Sequence, residues 1–231
     1  MSRTDQVVDG IKRMILDGEL GPGDRLPVEK ELAETLGVSR GSLREGVRAL
    51  SILGIVDTRQ GDGTYVTSLD PGRLLAPMGF VVDLHGDGSA RPFHSVRRIL
   101  ETEAAGLAAT RITPEALAEA RAVLDEVDDI LGQVPVDHER FIESDITFHR
   151  IIAAHTGNPV IAALVESLAS RTVRERLWRG LHEEGAEERT HGEHEAIWRA
   201  LVAGDAERAR IRMANHLLGV EESLPRVPDD D

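Results

Sequence analysis

The chain has 231 residues, a formal net charge of −14 at pH 7 and no cysteine, which excludes disulfides and thiolate metal sites and leaves histidines and carboxylates as metal ligands. No apolar run reaches the length of about 18 residues that a membrane helix needs, and residues 1–5 lead into an amphipathic helix rather than a signal peptide, so we expect a cytoplasmic protein without a membrane partner. Only 3% of the residues are aromatic, while Ala, Leu, Arg and Glu are abundant, which favours a mainly α fold.

Three helices are predicted in the first part of the chain. The first covers residues 4–20, and the second covers residues 27–35 and ends at Gly37, the residue type that most easily takes left-handed backbone angles. The third begins after Ser39 and ends near Gly54. Its buried face follows the i, i+4, i+7 spacing of one helical side: Leu43, Val47 and Leu50.

A row of arginines runs beside this apolar face. Arg40, Arg44 and Arg48 recur at every fourth position, and the helical period places them about a quarter-turn or more away from the buried side chains. Two helices joined by a tight turn that contains Gly37, the second helix with a basic stripe, predict a helix-turn-helix that reads the major groove of DNA.

Two β-prone runs after the third helix predict a hairpin. The runs are residues 55–59 and 64–68, and they flank the sequence Gln-Gly-Asp-Gly at 60–63, where glycine can supply a positive φ. A hairpin in this position is the wing of a winged helix-turn-helix. Asp62 lies at its tip, where a basic or neutral residue would suit the minor groove better, and this argues against insertion of the wing.

The order and spacing of these motifs resemble the winged-helix domain of the GntR family of bacterial transcription regulators over most of residues 6–68. The matching segments are Gly21–Pro27, Glu31–Ala33, Gly37–Arg40, Leu43–Glu45, Gly61 and Gly63–Val66. The resemblance implies that Arg40 and Arg44 are the main readers of base edges and that Arg25 contacts a phosphate or a base edge.

The residue types near the start of the third helix suit these roles. Arg40 and Arg44 can each make a bidentate contact with guanine, and serine hydroxyls can donate to phosphates. The predicted DNA contacts are Arg25, Ser39, Arg40, Ser42, Arg44, Gly61 and Gly63. The alternative is that these residues are helix caps and solvated charges, because residues 42–45 alone fit a capping box. Arg48 is interpreted as a surface charge.

The acidic character of the chain extends into this first part. Residues 1–70 carry 9 Lys+Arg against 12 Asp+Glu, and the remainder carries 18 against 29. DNA affinity must therefore come from the local arginine cluster, and it should be modest and sensitive to salt. Because one copy would bind weakly, we expect a homodimer on a pseudo-palindromic operator of double-stranded DNA.

The break at Asp70-Pro71-Gly72 predicts a domain boundary. We expect a DNA-binding domain over residues 1–70, an all-helical effector-binding and dimerisation domain over residues 71–220, and a disordered tail over residues 221–231. The second domain reads as a bundle of about seven helices without a β run. The predicted helices are 73–84, 93–109, 114–131, 136–155, 159–181, 189–203 and 206–218.

Four polar residues interrupt the apolar faces of these helices. Asp145 and His149 lie one turn apart on a single stripe, and His194 and His216 share stripes with apolar residues on two later helices. An unpaired carboxylate is costly to bury, so an Asp/His set at the bundle interior indicates a divalent ion such as Zn²⁺, Ni²⁺ or Mn²⁺. A hydrogen-bonded Asp-His core network is the alternative. His191 is a rival to His194 on the same face.

Segments around these residues resemble the C-terminal ligand-binding domain, the FCD domain, of the FadR-type branch of the GntR family over roughly residues 75–220. They are Asp145–His149 with Gly157–Pro159, Glu193–Ile197 with Gly204-Asp205, and Met213–Leu217. In that branch many members hold a metal through an Asp, the His four residues on and two later His, and this implies a site of four residues here, with Zn²⁺ as the first choice. The implied ligands are Asp145, His149, His194 and His216.

The same resemblance implies an effector pocket lined by the arginine of an Arg-x-x-x-Glu segment. That arginine is Arg97, which lies on an inward stripe and can form a fork with a ligand carboxylate. The implied effector is a small carboxylic or hydroxy acid such as a sugar acid. The alternative is a simple helix pair between Arg97 and Glu101.

Together these patterns predict a transcription regulator. The resemblance implies a repressor whose operator affinity changes when an acid binds, with activation as the alternative, because the residues themselves do not give the sign. We expect no enzymatic activity, because no additional inward acid stands out as a general base near the four metal ligands. Two alternatives are a metal-dependent hydrolase or oxygenase fused to a DNA-binding domain, and a regulator with a metal-free helical dimerisation domain.

Overall fold

The computed structural model describes residues 2–75, 77, 90–169 and 183–223. The chain divides into two compact units, residues 1–77 and 78–231, whereas the sequence break lies at residues 70–72. The mainly α fold, with a small hairpin in the first unit and a helical second unit, is confirmed. Among the described helices, none is long and apolar enough to cross a membrane.

Three helices build the first unit: α1 (Arg3–Leu16), α2 (Glu29–Leu36) and α3 (Arg40–Ile52). Glycine lets α1 and α3 approach closely, because a Cβ on Gly46 would lie 2.5 Å from Val7 Cβ. The core below the helices and the hairpin consists of ten buried apolar residues. They are Val7, Ile11, Leu20, Leu26, Leu32, Ala33, Leu43, Leu50, Val56 and Val66.

The ends of these helices correct two sequence expectations. Helix α1 ends at Leu16 rather than at residue 20, and Gly18 follows with a φ of 77°. The cap of α3 is Ser39, whose hydroxyl accepts a hydrogen bond from the Ser42 backbone N–H at 3.1 Å. The alternative of a capping box that starts at Ser42 is therefore wrong, because Ser42 already lies inside the helix. Gly37 takes the expected left-handed angle, with a φ of 63°.

The wing consists of β1 (Val56–Arg59) and β2 (Gly63–Val66), which pair antiparallel from Val56↔Val66 to Arg59↔Gly63. Residues 60–62 form the turn, and Gly61 supplies the positive φ of 76°. Gly63 serves another purpose, since a Cβ there would lie 2.5 Å from Arg25 Nε. The two glycines therefore shape the turn and admit the arginine against it.

Six helices are described in the second unit. They are α4 (Ala90–Ala109), α5 (Pro114–Leu131), α6 (His138–Ala154), α7 (Pro159–Ala169), α8 (Ala186–Val202) and α9 (Ala206–Glu222). Thr113 caps α5 ahead of a proline in the first turn, and Asp205 caps α9, as their residue types indicate. Helix α9 continues past the predicted end at 218 and takes up residues 221 and 222 of the predicted tail.

Some predictions lie outside the described residues. Residues 71–75 are helical, but most of the predicted helix 73–84 is not described, and neither are the later part of helix 159–181 and residues 224–231 of the tail. In the described part, large apolar side chains from α5, α6, α8 and α9 fill one core. Its fully buried members include Leu124, Phe148, Ile152, Ile197, Leu201 and Met213.

Candidate metal centre and nucleic-acid interface

The four residues of the predicted metal site come together in the interior of the second unit. Asp145 and His149 extend from α6, His194 from α8 and His216 from α9, and all four are buried. One possible ligand atom from each residue lies within 4.8 Å of the others. A buried cluster of one carboxylate and three imidazoles could hold a divalent metal ion.

The separations between these atoms suit a small ion. His194 Nε2 lies 3.3 Å from His216 Nε2 and 3.5 Å from Asp145 Oδ1. His149 Nε2 lies 3.9 Å from the same carboxylate oxygen. Ligand atoms around a tetrahedral ion with bonds of about 2.0–2.1 Å are about 3.4 Å apart, so contraction by a few tenths of an ångström would suffice for these contacts.

Two carboxylates outside the cluster orient the imidazoles. Glu101 contacts Nδ1 of His149, and Glu193 contacts Nδ1 of His216 at 2.8 Å. An ionised carboxylate can only accept, so each Nδ1 carries the proton and each Nε2 directs its lone pair into the cluster. Nδ1 protonation with a free Nε2 lone pair is the form that a metal ligand requires.

The electrostatic state of His149 fits this role. Burial lowers the pKa of its imidazole, although the negative charge of Glu101 acts in the opposite direction. The ring is therefore neutral at neutral pH. Within the described part of the chain, its buried Nε2 has no hydrogen-bond partner. Phe148 also fixes the neighbouring ligand, because its ring stacks on His194 with centroids 4.6 Å apart. The residues present therefore fit a divalent ion.

The rival histidine lies outside the cluster. His191 Nε2 is 2.8 Å from Asp128 Oδ1, in a contact between α8 and α5. Only His194, three residues later on the same helix, reaches the other ligands. The two carboxylates on Nδ1 were missed by the sequence reasoning, since Glu101 was considered only as a partner of Arg97 and Glu193 only as part of a motif.

Arg97 lies in the same interior, on α4, and is almost completely buried. Its Nε donates to Glu101, so the simple helix pair considered as the alternative is present. Burial by itself would raise the pKa of Glu101, but the charge of Arg97 and the hydrogen bonds from Arg97 and His149 hold the pKa well below its ordinary value. Arg97 Nη2 is buried without a hydrogen-bond partner among the described residues, which leaves one nitrogen of the fork for a ligand.

The predicted DNA-reading arginines are exposed on α3. Arg44 forms a fork with the carboxylate of Glu29, with Nε–O and Nη2–O distances of 3.0 and 2.9 Å. Hydrogen bonds from Arg44 lower the pKa of Glu29. Because both side chains are exposed, this pair contributes little to stability, and the guanidinium can exchange it for a base edge.

A cavity of about 500 Å³ lies between α2, α3 and the wing. Its polar lining includes Arg25, Glu29, Arg44, Arg48, Thr58 and Thr64. Gly63 also lines it, whereas Ser39 is the cap of α3 and Arg40 and Ser42 lie in the first turn of that helix. Three of the seven predicted contacts, Arg25, Arg44 and Gly63, thus lie on the surface that α3 and the wing share, and the contacts of all seven with DNA remain predictions.

The wing tip carries a negative charge on this surface. Arg25 donates to the backbone carbonyl of Asp62, and the Tyr65 hydroxyl donates to the Asp62 carboxylate at 2.9 Å. Neither contact neutralises the carboxylate with a direct ion pair. The charge should repel a phosphate backbone that approaches the tip.

Asp62→Lys should strengthen binding to DNA of any sequence and make the dependence on salt steeper by about one phosphate contact. The measurement is fluorescence anisotropy on a labelled duplex at several salt concentrations. Glu19→Lys is the control, because it makes the same charge change in the exposed loop after α1. Equal effects of the two substitutions would show that the wing tip lies away from the DNA.

Comparisons with known proteins agree with this arrangement. The family described as bacterial regulatory proteins, gntR family, matches residues 3–66, and the FCD domain matches residues 93–219. The HTH-type transcriptional regulator LutR of Bacillus subtilis (strain 168) is 32% identical over 216 residues, which cover 91% of this chain and 96% of LutR. The galactonate operon transcriptional repressor of Escherichia coli (strain K12) is 30% identical over 221 residues, 92% of this chain and 94% of the repressor.

A solved structure extends the likeness to three dimensions. The structure of Streptococcus agalactiae GntR has a TM-score of 0.70 at 27% identity and covers 95% of this chain and 99% of its own. The two relatives above are named as a regulator and a repressor, in agreement with the expectation that the chain is not an enzyme. The chain therefore belongs to the GntR family of bacterial regulatory proteins, with a C-terminal FCD domain, and is a DNA-binding transcription regulator.

Proposed function

We propose that the protein is a homodimeric repressor whose affinity for a pseudo-palindromic operator changes when a small carboxylic acid binds its helical unit. The observation that carries this proposal is the buried cluster of Asp145 and three histidines near Arg97, one donor of which has no hydrogen-bond partner among the described residues. A buried set of this kind has no evident purpose in a domain that only dimerises, because apolar side chains would fill the same space at lower cost.

The DNA-binding part of the proposal rests on the exposed arginines of α3 and the neighbouring wing. Arg40 and Arg44 would each read a guanine, while Arg25 would hold the backbone beside the wing. Residues 1–70 have more acidic than basic residues, so one copy offers only a local basic surface. A dimer that places two recognition helices one helical turn of DNA apart would supply the missing affinity.

The metal part of the proposal assigns Asp145, His149, His194 and His216 as ligands. Imidazole and carboxylate ligands suit Zn²⁺ best, and they also accept Ni²⁺ or Mn²⁺. When bound, the ion would supply a positive charge that can attract an oxygen of a carboxylate. Carboxylates hold Nδ1 of His149 and His216, and Phe148 stacks on His194, so the protein's own contribution is a site formed in advance.

The effector part of the proposal rests on Arg97. Its Nη2 is buried without a partner in the described structure, and a buried guanidinium nitrogen gains much from a carboxylate. The relative from Escherichia coli is named for a galactonate operon, which supports a sugar acid or a related hydroxy acid as the ligand class. Such a ligand changes operator affinity only to the extent that it binds the DNA-competent and DNA-incompetent states differently.

The proposal is tested first by thermal melting of the metal-loaded protein against a panel of small acids. An acid at about 100 times its dissociation constant should stabilise the protein by about 2.7 kcal/mol. The same acid should then change the affinity for an operator selected from a random DNA pool. An acid that stabilises the protein and leaves operator affinity unchanged would contradict the regulatory role.

Arg97→Lys should weaken acid binding at least about tenfold, because lysine keeps the charge beside Glu101 and lacks the second nitrogen of the fork. The melting shift at a fixed acid concentration measures this loss. Arg98→Lys is the matched control, since Arg98 is adjacent on α4 and its Nε pairs with Glu221 at 2.9 Å. Equal shifts in wild type and in Arg97→Lys would remove Arg97 from the effector site.

A further inference from the structure

We propose that Glu101 is a positioning residue that couples the metal site to Arg97. Its Oε2 contacts Nδ1 of the metal ligand His149, and its Oε1 accepts from Nε of Arg97. One carboxylate therefore bridges the ligand and the arginine. This inference rests on the proposed function, because it requires that the cluster binds a metal.

Burial gives the bridge its strength. Glu101 is 2% exposed, Arg97 is 1% exposed and His149 is 1% exposed, so water cannot readily replace either contact of the carboxylate. A carboxylate that accepts from the distal N–H of a ligating imidazole orients the ring and raises the basicity of the other nitrogen. In a medium of low dielectric constant, the two contacts of Glu101 also influence each other strongly.

The second carboxylate shows what is particular to Glu101. Glu193 holds Nδ1 of His216, but its side chain is 41% exposed, so solvent can partly replace it. Among the described residues, Glu193 makes no other hydrogen bond or ion pair. Of the two glutamates, only Glu101 joins a metal ligand to a second buried charge.

The bridge makes metal affinity depend on the state of Arg97. The carboxylate of Glu101 interacts with both the guanidinium of Arg97 and the N–H of His149. Removing the guanidinium charge would therefore strengthen the interaction between the carboxylate and the imidazole. Thermodynamic linkage requires the converse, that metal binding changes the affinity for whatever binds at Arg97. The coupling is therefore present without any effector and can be measured with the metal alone.

The test is the dissociation constant for Zn²⁺, measured on the full chain by competition with a chelator of known affinity. Glu101→Gln should weaken Zn²⁺ binding by about 10–100-fold, although all four ligands are intact. Glu103→Gln is the control, because Glu103 is an exposed residue two positions along on α4 and pairs with Arg210. Glu193→Gln should have a smaller effect than Glu101→Gln.

A double-mutant cycle separates coupling from simple damage. Arg97→Gln should lower the Zn²⁺ dissociation constant by about fivefold or more in the presence of Glu101 and should change it clearly less in the Glu101→Gln background, where only the direct repulsion between the Arg97 charge and the cluster is lost. The double variant removes both buried charges together, so it should fold even if a single variant leaves an unpaired charge and does not. In that case its Zn²⁺ affinity should lie about 10–100-fold below that of wild type.

The outcomes distinguish the inference from the proposed function. If wild type binds Zn²⁺ and Glu101→Gln or the double variant binds it equally well, Glu101 has no positioning role. An effect of Arg97→Gln that is equally large without Glu101 would likewise overturn the bridge. If wild type itself binds neither Zn²⁺, Ni²⁺ nor Mn²⁺, the proposed metal centre fails and the inference fails with it.

Discussion

Arg44→Ala should lower the affinity for the specific operator by about 1–3 kcal/mol, or about 5–150-fold, and leave binding to unrelated DNA much less affected. The reason is that a bidentate contact with guanine carries sequence information, whereas a phosphate contact does not. The fold should be unchanged, because Arg44 is exposed and its pair with Glu29 contributes little. Anisotropy titrations with the operator and with a scrambled duplex measure the two affinities.

Arg48→Ala is the matched control for this experiment. Arg48 lies one turn further along α3, is exposed like Arg44 and lines the same cavity. As a surface charge it should affect both duplexes about equally, so the ratio of the two affinities should stay as in wild type. A ratio that is unchanged in Arg44→Ala as well would refute the assignment of Arg44 as a base reader.

The double variant His194→Ala, His216→Ala should lose metal binding completely, because it removes two of four ligands and leaves one imidazole and one carboxylate. A metal at a concentration about 100 times its dissociation constant stabilises the protein that binds it by about 2.7 kcal/mol. Removing the metal with a chelator should therefore lower the melting temperature of wild type and leave that of the variant unchanged. Circular dichroism of both proteins checks that the helical content is retained.

His191→Ala serves as the control for the loss of an imidazole on α8. His191 contacts Asp128 and does not reach the cluster, so this variant should respond to chelation as wild type does. If the double variant were as sensitive to chelation as wild type, the metal would bind elsewhere, and the four residues would be a hydrogen-bonded core network.

The positions of the four cluster residues could be predicted in part from the sequence, because helical periodicity alone places Asp145 and His149 on one buried side of α6. The same reasoning placed His194 and His216 inward among apolar neighbours. Periodicity did not separate His194 from His191, since both lie on nearly the same side of α8, and the choice of His194 came from the family resemblance. In the structure, His194 and not His191 joins the cluster.

The contacts that tune the site could not be predicted, because they join residues far apart in sequence. Glu101 and His149 are on α4 and α6, and the bridge forms only when those helices pack against each other. From the sequence, Glu101 had an adequate partner one turn away in Arg97, so no unsatisfied charge indicated a further contact. The pair of Glu29 and Arg44 on α2 and α3 was missed for the same reason.

Helix ends show where local signals are decisive and where they are not. The Ser39 hydroxyl caps α3, and Gly37 ends α2 because glycine can take left-handed backbone angles. Both residues act as their types indicate. The predicted end of α1 at residue 20 is too late, because the helix ends at Leu16 ahead of Gly18, which takes a positive φ, and Leu20 is buried from the loop instead. The predicted end of α9 at residue 218 is too early, because the helix runs through Gly219 to Glu222.

The most direct test of the proposed sensor is the metal content of the purified wild-type protein, measured by elemental analysis before and after reconstitution with Zn²⁺, Ni²⁺ and Mn²⁺. The buried cluster of Asp145, His149, His194 and His216 predicts about one transition metal ion per chain. A protein that retains none of these ions after reconstitution would contradict the metal centre, while its place among the DNA-binding regulators would stand.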